Sequence, residues 1–326
     1  MQPADQSGRS TGLPQLARLE DRAILSVGGP DARHFLNNLL TSDIAGLRLL
    51  RPAAGSTGST LEGPPAAAFA GLLAPQGKIL FEMLVAVVAE DRFVLDVAEA
   101  AGSELLKRLS FYKLRSRVVI EPEPGLAAAA VWGGPVRMAA ALAGFADPRL
   151  ATLGTRLIGS PDALDAALRE GTYERASLED YHAHRIGHGV PELGQDFLAG
   201  EIFPHEALLD QMGGVDFRKG CYVGQEVVSR MQHRGTARSR FVPVVARQAG
   251  TALPGRGKPV TAGTVQLGAM GSSAGDRGLA LIRLDRLAEA LAAGVAAETD
   301  GVVLKVGRPD FVRFEVPGHA AGGAAA

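Results

Sequence analysis

Apolar residues recur at helical spacing just after the Gly-Gly-Pro triplet at 28–30. The apolar positions are Ala32, Phe35, Leu36 and Leu39. Residues three or four positions apart share one face of a helix, so this pattern predicts a helix with a buried face. Asp31 stands directly before them, and aspartate is a preferred N-cap residue. The apolar segment "LARLEDRAILSV" ahead of this helix predicts an opening strand that starts near Leu16.

Two apolar runs on either side of a short turn predict a β-hairpin. "AFAGLLA" and "ILFEMLVAVV" are separated by "PQGK", in which Pro75 and Gly77 suit a tight turn. "RFVLDVA" predicts a further strand, and Glu99–Leu109 predicts a helix. Before the hairpin, "RPAAGSTGSTLEGPPAAA" has the low complexity of a mobile loop.

Capping residues mark two more helices. Ser160 and Pro161 suit the N-cap and first position of a helix that stops at Gly171. Ser177 begins the other, which extends to Ile186, with an aspartate three residues after the cap.

The pattern changes after Arg240 to short apolar runs broken by glycine and proline, which is typical of a small barrel or sandwich. The fold class predicted for the whole chain is α+β. The expected divisions are a flexible leader (1–15), a larger α+β domain (16–240), a small C-terminal β domain (241–317) and a flexible tail (318–326).

Composition limits the classes of function. Hydrophobic residues make up 46% of the 326 residues, and the formal net charge is −1, so no overall charge favours wrapping nucleic acid. No apolar run approaches the roughly 20 residues that a membrane-spanning helix needs. A single cysteine rules out an internal disulfide framework and a self-contained four-thiolate cluster site. These features predict a soluble, cytoplasmic protein with no membrane partner and no direct nucleic-acid partner.

The only cysteine, Cys221, lies in the segment "DFRKGCYVGQE". A lone cysteine is most often a small buried hydrophobe. Here Arg218 and Lys219 precede it, and the helix predicted from Gln225 to His233 places the positive end of a helix dipole nearby. Both effects favour the thiolate, which is the form that attacks electrophiles and binds metals. We therefore expect Cys221 to be a functional thiol that faces a ligand.

Cations are concentrated around this thiol. They are Arg218, Lys219, Arg230, Arg234, Arg238 and Arg240, and only Asp216 and Glu226 oppose them. Such a cluster is commonly a solvated face. It also suits a docking surface for a carboxylate-rich ligand, a phosphate or an acidic partner. Both interpretations stay open at this point.

Histidines are crowded nearby, with His184 and His188 spaced as on one helix face. Glycines 187 and 189 interrupt that helix, and no glutamate lies between the two histidines as a zincin motif requires. Hydrogen-bonding or surface histidines are therefore expected here, and not a zinc site.

At "KGCYVGQE" the chain resembles the YgfZ family, which are folate-binding relatives of the glycine-cleavage T-protein that act in iron–sulfur cluster assembly. Further similar blocks are "FLNNLLTSDI", "LLAPQGKILFEMLV", "YKLRSRV" and the segment from "HRIGHGVPELGQDF" to "MQHRG". "HRIGHGVPE" is similar to the branch that includes the mitochondrial [4Fe-4S] assembly factor. The resemblance implies a T-protein (aminomethyltransferase)-like folate-binding body followed by a β-barrel.

The resemblance also implies site residues. The signature residues present here are Lys219, Gly220, Cys221, Tyr222, Gly224, Gln225, Glu226 and Arg230. Cys221 would be a transient cluster ligand, with Lys219 and Arg230 keeping it ionised. Tetrahydrofolate is the implied cofactor, but Gly187 stands where many relatives carry a pterin-binding glutamate. Asp96, His188 and Glu192 are the weak candidates for contacting it.

The resemblance implies an accessory factor for maturing [4Fe-4S] proteins, more an assembly factor on a transferase fold than an enzyme. Its expected partners are iron–sulfur assembly proteins and [4Fe-4S] client enzymes, with an indirect effect on tRNA modification. The alternative is a folate-dependent aminomethyltransferase that uses Asp43 or Asp96 as its carboxylate, although both suit structural roles, as a loop cap and a strand-edge charge.

Overall fold

The computed structural model describes residues 12–50, 65–136, 142–170, 172–235 and 237–319. The strands are β1 (Gln15–Leu19), β2 (Arg22–Gly28), β3 (Ala67–Leu73), β4 (Ile79–Ala89), β5 (Arg92–Ala98), β6 (Val119–Pro122), β7 (Ala127–Trp132), β8 (Ala143–Ala146), β9 (Thr155–Gly159), β10 (Glu174–Ala176), β11 (Ser239–Ala246), β12 (Pro259–Ala262), β13 (Val265–Ala274), β14 (Arg277–Arg283), β15 (Glu298–Thr299) and β16 (Val302–Val306). The helices are α1 (Ala32–Leu39), α2 (Glu99–Lys113), α3 (Pro161–Arg169), α4 (Leu178–Gly187), α5 (Gln225–Arg234) and α6 (Leu284–Ala292). None of the helices in these ranges combines the length and the apolar character needed to cross a membrane.

Two five-stranded sheets form the larger part of the protein. Their strand orders are β3-β4-β5-β2-β6 and β10-β1-β7-β9-β8. The predicted hairpin is confirmed, since β3 pairs antiparallel with β4. Along β4, Leu84 packs into the core shared with the second sheet, while Met83 and Val85 pack with α1 and α2 on the opposite face. A sheet covered on both faces explains why β4 is apolar almost throughout.

The predicted helices form, with one correction at the start of α1. Its buried residues are Ala32, Phe35, Leu36 and Leu39, as the periodicity predicts. The Asp31 side chain, however, makes no capping bond. Both of its carboxylate oxygens accept hydrogen bonds from Arg117, at 3.0 and 2.8 Å. A bidentate, charge-assisted pair has replaced the cap.

The caps predicted for α3 and α4 are confirmed. The Ser160 hydroxyl accepts from the Ala163 N–H, and Pro161 is the first residue of α3. Ser177 and Asp180 form a complete capping box on α4. The predicted stop at Gly171 lies outside the described residues, as do residues 51–64 of the predicted mobile loop. Residues 1–11 and 320–326, where most of the predicted leader and tail fall, lie outside them too.

The C-terminal strands close into a barrel in the order β11-β14-β13-β12-β15-β16. The barrel has its own apolar core, which includes Val242, Leu267 and Ile282. It is not purely β, because α6 contributes Leu287 to that core.

A buried ion pair joins α4 to the barrel. Arg185 donates to Asp196 at 2.6 Å, and neither side chain is exposed. Asp196 also accepts from the backbone N–H and the hydroxyl of Ser272 on β13. A buried pair with all of its polar atoms in use fixes relative orientation more than it adds stability.

Candidate functional site

Cys221 is exposed, at the tip of an irregular segment that leads into α5. We call residues 216–224 the thiol loop. Gly220 beside the thiol is also exposed, and a Cβ built on it meets no atom of the described residues within 4 Å. The tip of the loop therefore has room around it for another molecule.

Lys219 anchors the loop to the end of α1. Its ammonium donates to the carbonyl oxygens of Asn37, Leu40 and Ser42 at 2.6–2.8 Å. Carbonyls at a helix C-terminus lack partners within the helix and attract cations. Burial lowers the pKa of Lys219 to about 8, although Asp43 and Asp216 oppose the shift. All three N–H groups of the ammonium thus donate to backbone carbonyls. None of these hydrogen bonds reaches the thiol, so they do not support the predicted role of Lys219 in keeping Cys221 ionised.

Asp216 shapes the start of the loop. Its N–H donates to the Thr41 carbonyl, and its carboxylate accepts from the backbone N–H groups of Arg218 and Lys219 at 2.7 and 3.3 Å. This is the local turn that aspartate commonly stabilises. The Arg218 side chain is left 95% exposed.

The residues that follow the thiol pack into two different cores. Tyr222 is buried in the core between the sheets, and Val223 packs against the core beneath α1 and α2. The Tyr222 ring lies 5.7 Å from the Lys219 ammonium, and its hydroxyl is buried without a hydrogen-bond partner among the described residues. Burial raises the pKa of Tyr222 to about 12. Cys221 is therefore held between the anchored, half-buried Lys219 and the buried Tyr222.

Gly224 ends the loop and begins α5. Its φ of +80° is in the left-handed region, and a Cβ on it would come within 2.6 Å of the Ala74 carbonyl oxygen and 3.1 Å of Gly77 Cα. Only glycine fits this close approach without strain. The predicted hairpin turn thus packs directly against the helix that follows the thiol.

The cations of the predicted cluster have different environments in the folded protein. Arg230 pairs with Glu226 at 2.6 Å on the exposed side of α5, and Arg240 is buried against Asp210 and the His205 carbonyl. Arg218, Arg234 and Arg238 are exposed. The surface around the thiol is basic, but the six cations do not act as one group.

Asp96 and Glu192, two of the predicted cofactor contacts, meet in the interior of the protein. Arg22 bridges them, at 2.6 Å from Asp96 and 3.6 Å from Glu192. The description of Asp96 as a strand-edge charge is wrong, because β5 lies between β4 and β2 and the side chain is fully buried. Burial opposes ionisation of Glu192, but Arg22, Arg185 and Arg149 outweigh it and hold its pKa well below the usual range.

This interior network contains residues that the motifs do not reveal. They are Glu82, Asp147, Arg149, Arg156, Tyr181, Arg185 and Asp196. Arg149 donates to Asp147 and to the Tyr181 hydroxyl at 2.7 Å each, and that hydroxyl also accepts from Arg156 at 3.0 Å. The signal that could have found them is a charged residue inside an apolar strand, as in "ILFEMLV" and "TRLIG".

Glu82 is the carboxyl of this network with the weakest pairing. One of its oxygens accepts from the Leu193 N–H at 2.7 Å, and the other is buried with no hydrogen-bond partner in the part of the chain that the structure describes. Burial, and then the neighbouring Glu192, raise the pKa of Glu82 to about 7, against the Leu193 hydrogen bond and two arginines. This group therefore changes charge near neutral pH.

His188 does not join the interior network. It contacts His184 edge to face at 4.7 Å, and His184 stacks on Trp132 at 5.1 Å. Burial, and then His188, lower the pKa of His184 to about 4. Gly187, between them, is exposed, and within the described ranges a Cβ there would meet no atom closer than 4 Å.

Asp21, His182 and Glu192 bring one ligand atom each within 4.8 Å of one another. His182 Nδ1 accepts from Arg185, so Nε2 carries the proton and donates to Asp21 at 3.0 Å. Neither nitrogen has a free lone pair for a metal. Asp43, the other transferase candidate, accepts from the N–H groups of Ala45 and Gly46 and so caps its own loop.

Comparison with known proteins identifies both the fold and the family. Residues 238–314 match the family model of the CAF17 C-terminal beta-barrel domain. The fold is similar to the crystal structure of glycine cleavage system aminomethyltransferase T from Bartonella henselae, with a TM-score of 0.70, 15% identity, and coverage of 92% of this chain and 86% of that one. The α+β, T-protein-like prediction is therefore confirmed as a fold.

Three curated relatives are similar over most of the chain. The mouse iron-sulfur cluster assembly factor IBA57, mitochondrial, is 33% identical over 288 residues, 83% of this chain and 78% of that protein. The human protein is 37% identical over 70% of this chain and 65% of its own length. The Mycosarcoma maydis homolog is 34% identical over 74% of this chain and 59% of its own length.

All three relatives are named mitochondrial. These names point to a mitochondrial location, and the predicted cytoplasmic one is wrong. Composition and cysteine count cannot separate two compartments in which a thiol stays reduced. The identity and coverage of the mouse relative, together with the barrel match, establish that this chain belongs to the IBA57 family of iron–sulfur cluster assembly factors.

Proposed function

We propose that this protein assists the assembly of [4Fe-4S] proteins. In this proposal the Sγ atom of Cys221 contacts the cluster or the sulfide within it. The observation that carries the proposal is the exposed thiol on an anchored loop. The relatives' names supply the class of substrate. One cysteine cannot hold a cluster alone, so the remaining ligands must come from a partner protein or a small thiol. The cluster is cargo in this proposal.

The other signature residues have supporting roles. Lys219 and Tyr222 hold the loop from either side of the thiol, and Gly224 allows α5 to begin against the hairpin turn. Gln225, Glu226 and Arg230 lie on α5, where the Glu226–Arg230 pair stabilises an exposed face. A fixed loop reduces the entropy lost when a partner shares the cluster.

The test moves the thiol. In cells that lack the native gene, Cys221→Ala is expected to lower the activity of a [4Fe-4S] enzyme and to leave an enzyme without a cluster unchanged. A second variant adds Ala288→Cys to Cys221→Ala, which places an exposed thiol on α6. It is expected not to restore activity. Circular dichroism of both variants checks the fold. Full activity with Cys221→Ala, or rescue by the displaced thiol, rejects the proposal.

Tetrahydrofolate, which the resemblance implies, does not fit the residues predicted to contact it. A pterin ring needs a free carboxylate acceptor, but Asp96 and Glu192 are already paired with arginines. His188 packs on His184, and Gly187 offers no acceptor. No step of the proposed function depends on the folate, and any effect on tRNA modification would come through iron–sulfur enzymes that modify tRNA.

This misfit has its own test, because the open space at Gly187 can take a side chain. Titration with tetrahydrofolate is expected to give weak binding by the wild type and tighter binding by Gly187→Glu. A carboxylate that accepts charged hydrogen bonds is worth about 1.5–3 kcal/mol. Tight binding by the wild type would restore the folate-dependent alternative, as would transfer of a one-carbon unit from an aminomethyl donor.

A further inference from the structure

Two large apolar side chains lie in solvent at the C-terminal end of α2. Phe111 is 74% exposed and Leu114 is 86% exposed. Val119, a few residues further on, is 54% exposed. Scattered apolar residues are normal on a protein surface, but neighbouring ones of this size commonly mark an interaction site. We call Phe111, Leu114 and the groove beside them the α2-end surface.

The backbone at Leu114 is strained. Its φ is +43° and its ψ is −109°, a conformation that L-residues rarely adopt and that glycine adopts easily. Strain of this kind costs of the order of a few RT and persists where the surrounding structure holds it. Here it holds a leucine side chain in water, which brings no gain to the folded chain by itself. The combination of strain and exposure indicates a role outside the folded monomer.

A shallow groove of about 720 Å³ lies beside Leu114. It is lined by Asp31, His34, Leu114, Arg115 and Ser116. One side of the groove carries the bidentate Asp31–Arg117 pair, which links the start of α1 to the segment after α2. The groove is therefore large enough to accept a side chain from another molecule.

Cations surround this surface. Between residues 107 and 117 they are Lys107, Arg108, Lys113, Arg115 and Arg117. The nearby carboxylates are Glu104, which lies 3.8 Å from Lys107, and Asp31, which pairs with Arg117. Arg115 is exposed at the groove without an ion pair among the described residues. The rim is thus net positive around an apolar centre.

We propose that the α2-end surface docks an acidic protein surface whose apolar side chains pack on Phe111 and enter the groove at Leu114. An apolar centre with a charged rim is the usual arrangement of a protein interface. A second copy of this chain would bring like charges together. A continuous row of phosphates would meet Asp31 and Glu104, whereas the carboxylates of a protein can be placed opposite individual cations.

The surface goes beyond the proposed function, because it does not depend on the thiol, but the fold connects the two. The groove contacts the first half of α1 at Asp31 and His34, while Lys219 binds its last carbonyls. An eight-residue helix is about 12 Å long. The groove and the thiol loop are therefore connected through one short helix.

The test uses the whole protein and a synthetic amphipathic peptide with leucines on one face and glutamates on the other. Its affinity is measured by fluorescence anisotropy for the wild type, for Phe111→Ser with Leu114→Ser, and for Arg115→Glu. Each variant is expected to weaken binding by roughly tenfold or more. The matched control replaces two other exposed apolar residues by serine, Val265 on β13 (49% exposed) and Leu291 on α6 (43% exposed), and should leave the affinity unchanged.

Three further measurements test the alternative partners of the α2-end surface, which are a nucleic acid, a membrane and a second copy of the chain. They are binding of single-stranded RNA, binding of phosphatidylglycerol vesicles, and self-association by sedimentation. The proposal is overturned if the α2-end variants bind the peptide as well as the wild type does. It is also overturned if the wild type ignores the peptide but binds RNA or vesicles, or dimerises, through Phe111 and Leu114. Either outcome leaves the Cys221 experiment to be judged on its own.

Discussion

The ammonium of Lys219 lies 2.7 Å from the carbonyl oxygen of Leu40, 179 positions earlier in the chain. Together with its bonds to Asn37 and Ser42, this contact joins the thiol loop to the end of α1. Cys221 is therefore positioned by a residue whose charge is directed into the protein. A cation that binds three carbonyls is structural first, and its effect on the thiol follows from the position that it gives the loop.

Replacing Lys219 by methionine tests this anchor, because it keeps the apolar stem and removes the ammonium. Loss of charged hydrogen bonds should lower the free energy of unfolding by about 1–3 kcal/mol, measured by urea denaturation. The loop should also become easier to cleave by proteases. Arg218→Met is the control, since that side chain is 95% exposed. Equal effects of the two variants would contradict the anchoring role.

Position 224 should not tolerate a side chain, whereas position 220 should tolerate one. Gly224→Ala places a Cβ at positive φ and 2.6 Å from the Ala74 oxygen, so we expect a loss of about 2 kcal/mol or more in thermal unfolding. Gly220→Ala, one residue before the thiol, meets no atom within 4 Å and should cost nothing. A stable Gly224→Ala protein would mean that the hairpin turn and α5 do not pack as described.

Glu82 should make stability depend on pH. The folded-state pKa, about 7, is above the ordinary value of 4.5, so between these values the folded protein holds a proton that the unfolded chain has released. The contribution of this carboxyl to the free energy of unfolding therefore falls as pH rises through that window. Glutamine cannot ionise, so Glu82→Gln should gain about 1–3 kcal/mol relative to the wild type between pH 5 and pH 8.

The control for Glu82 is Glu90→Gln, an exposed glutamate at the end of the same hairpin. Urea denaturation at both pH values should give parallel curves for this variant and the wild type. A pH-independent effect of Glu82→Gln would show that this carboxyl is already ionised in the folded protein at pH 5.

Leu114→Gly should stabilise the fold while it removes a docking side chain. Glycine adopts the backbone conformation at this position without strain, and little buried area is lost, so we expect a gain of about 1 kcal/mol in thermal unfolding. Ser110→Gly, exposed within α2, should instead lose about 0.5 kcal/mol, since glycine disfavours a helix interior. Equal losses from both changes would argue against strain at Leu114.

Local elements were predictable because each depends on neighbours in the chain. The buried face of α1, the hairpin around Gly77 and the capping box of α4 all follow from periodicity and turn chemistry over a few residues. The "KGCYVGQE" motif likewise located the thiol loop and its glycines. Asp31 shows the limit of local reasoning, because its cap was replaced by a pair with Arg117, 86 positions away.

The sequence by itself determined the β3–β4 hairpin, the helices with clear caps or periodicity, the α+β class and the position of the single thiol, since these depend on spacing and residue type. Its spacing left the C-terminal strands open between a barrel and a sandwich, and the predicted opening strand divides into β1 and β2, which join different sheets. Only the tertiary structure decided which partner each charged side chain binds. Lys219 is directed to α1, Arg230 to Glu226, and Asp96 and Glu192 to Arg22 in the interior. A charged side chain takes the partner that compensates its desolvation best, and that partner comes from a distant segment that folding brings within reach.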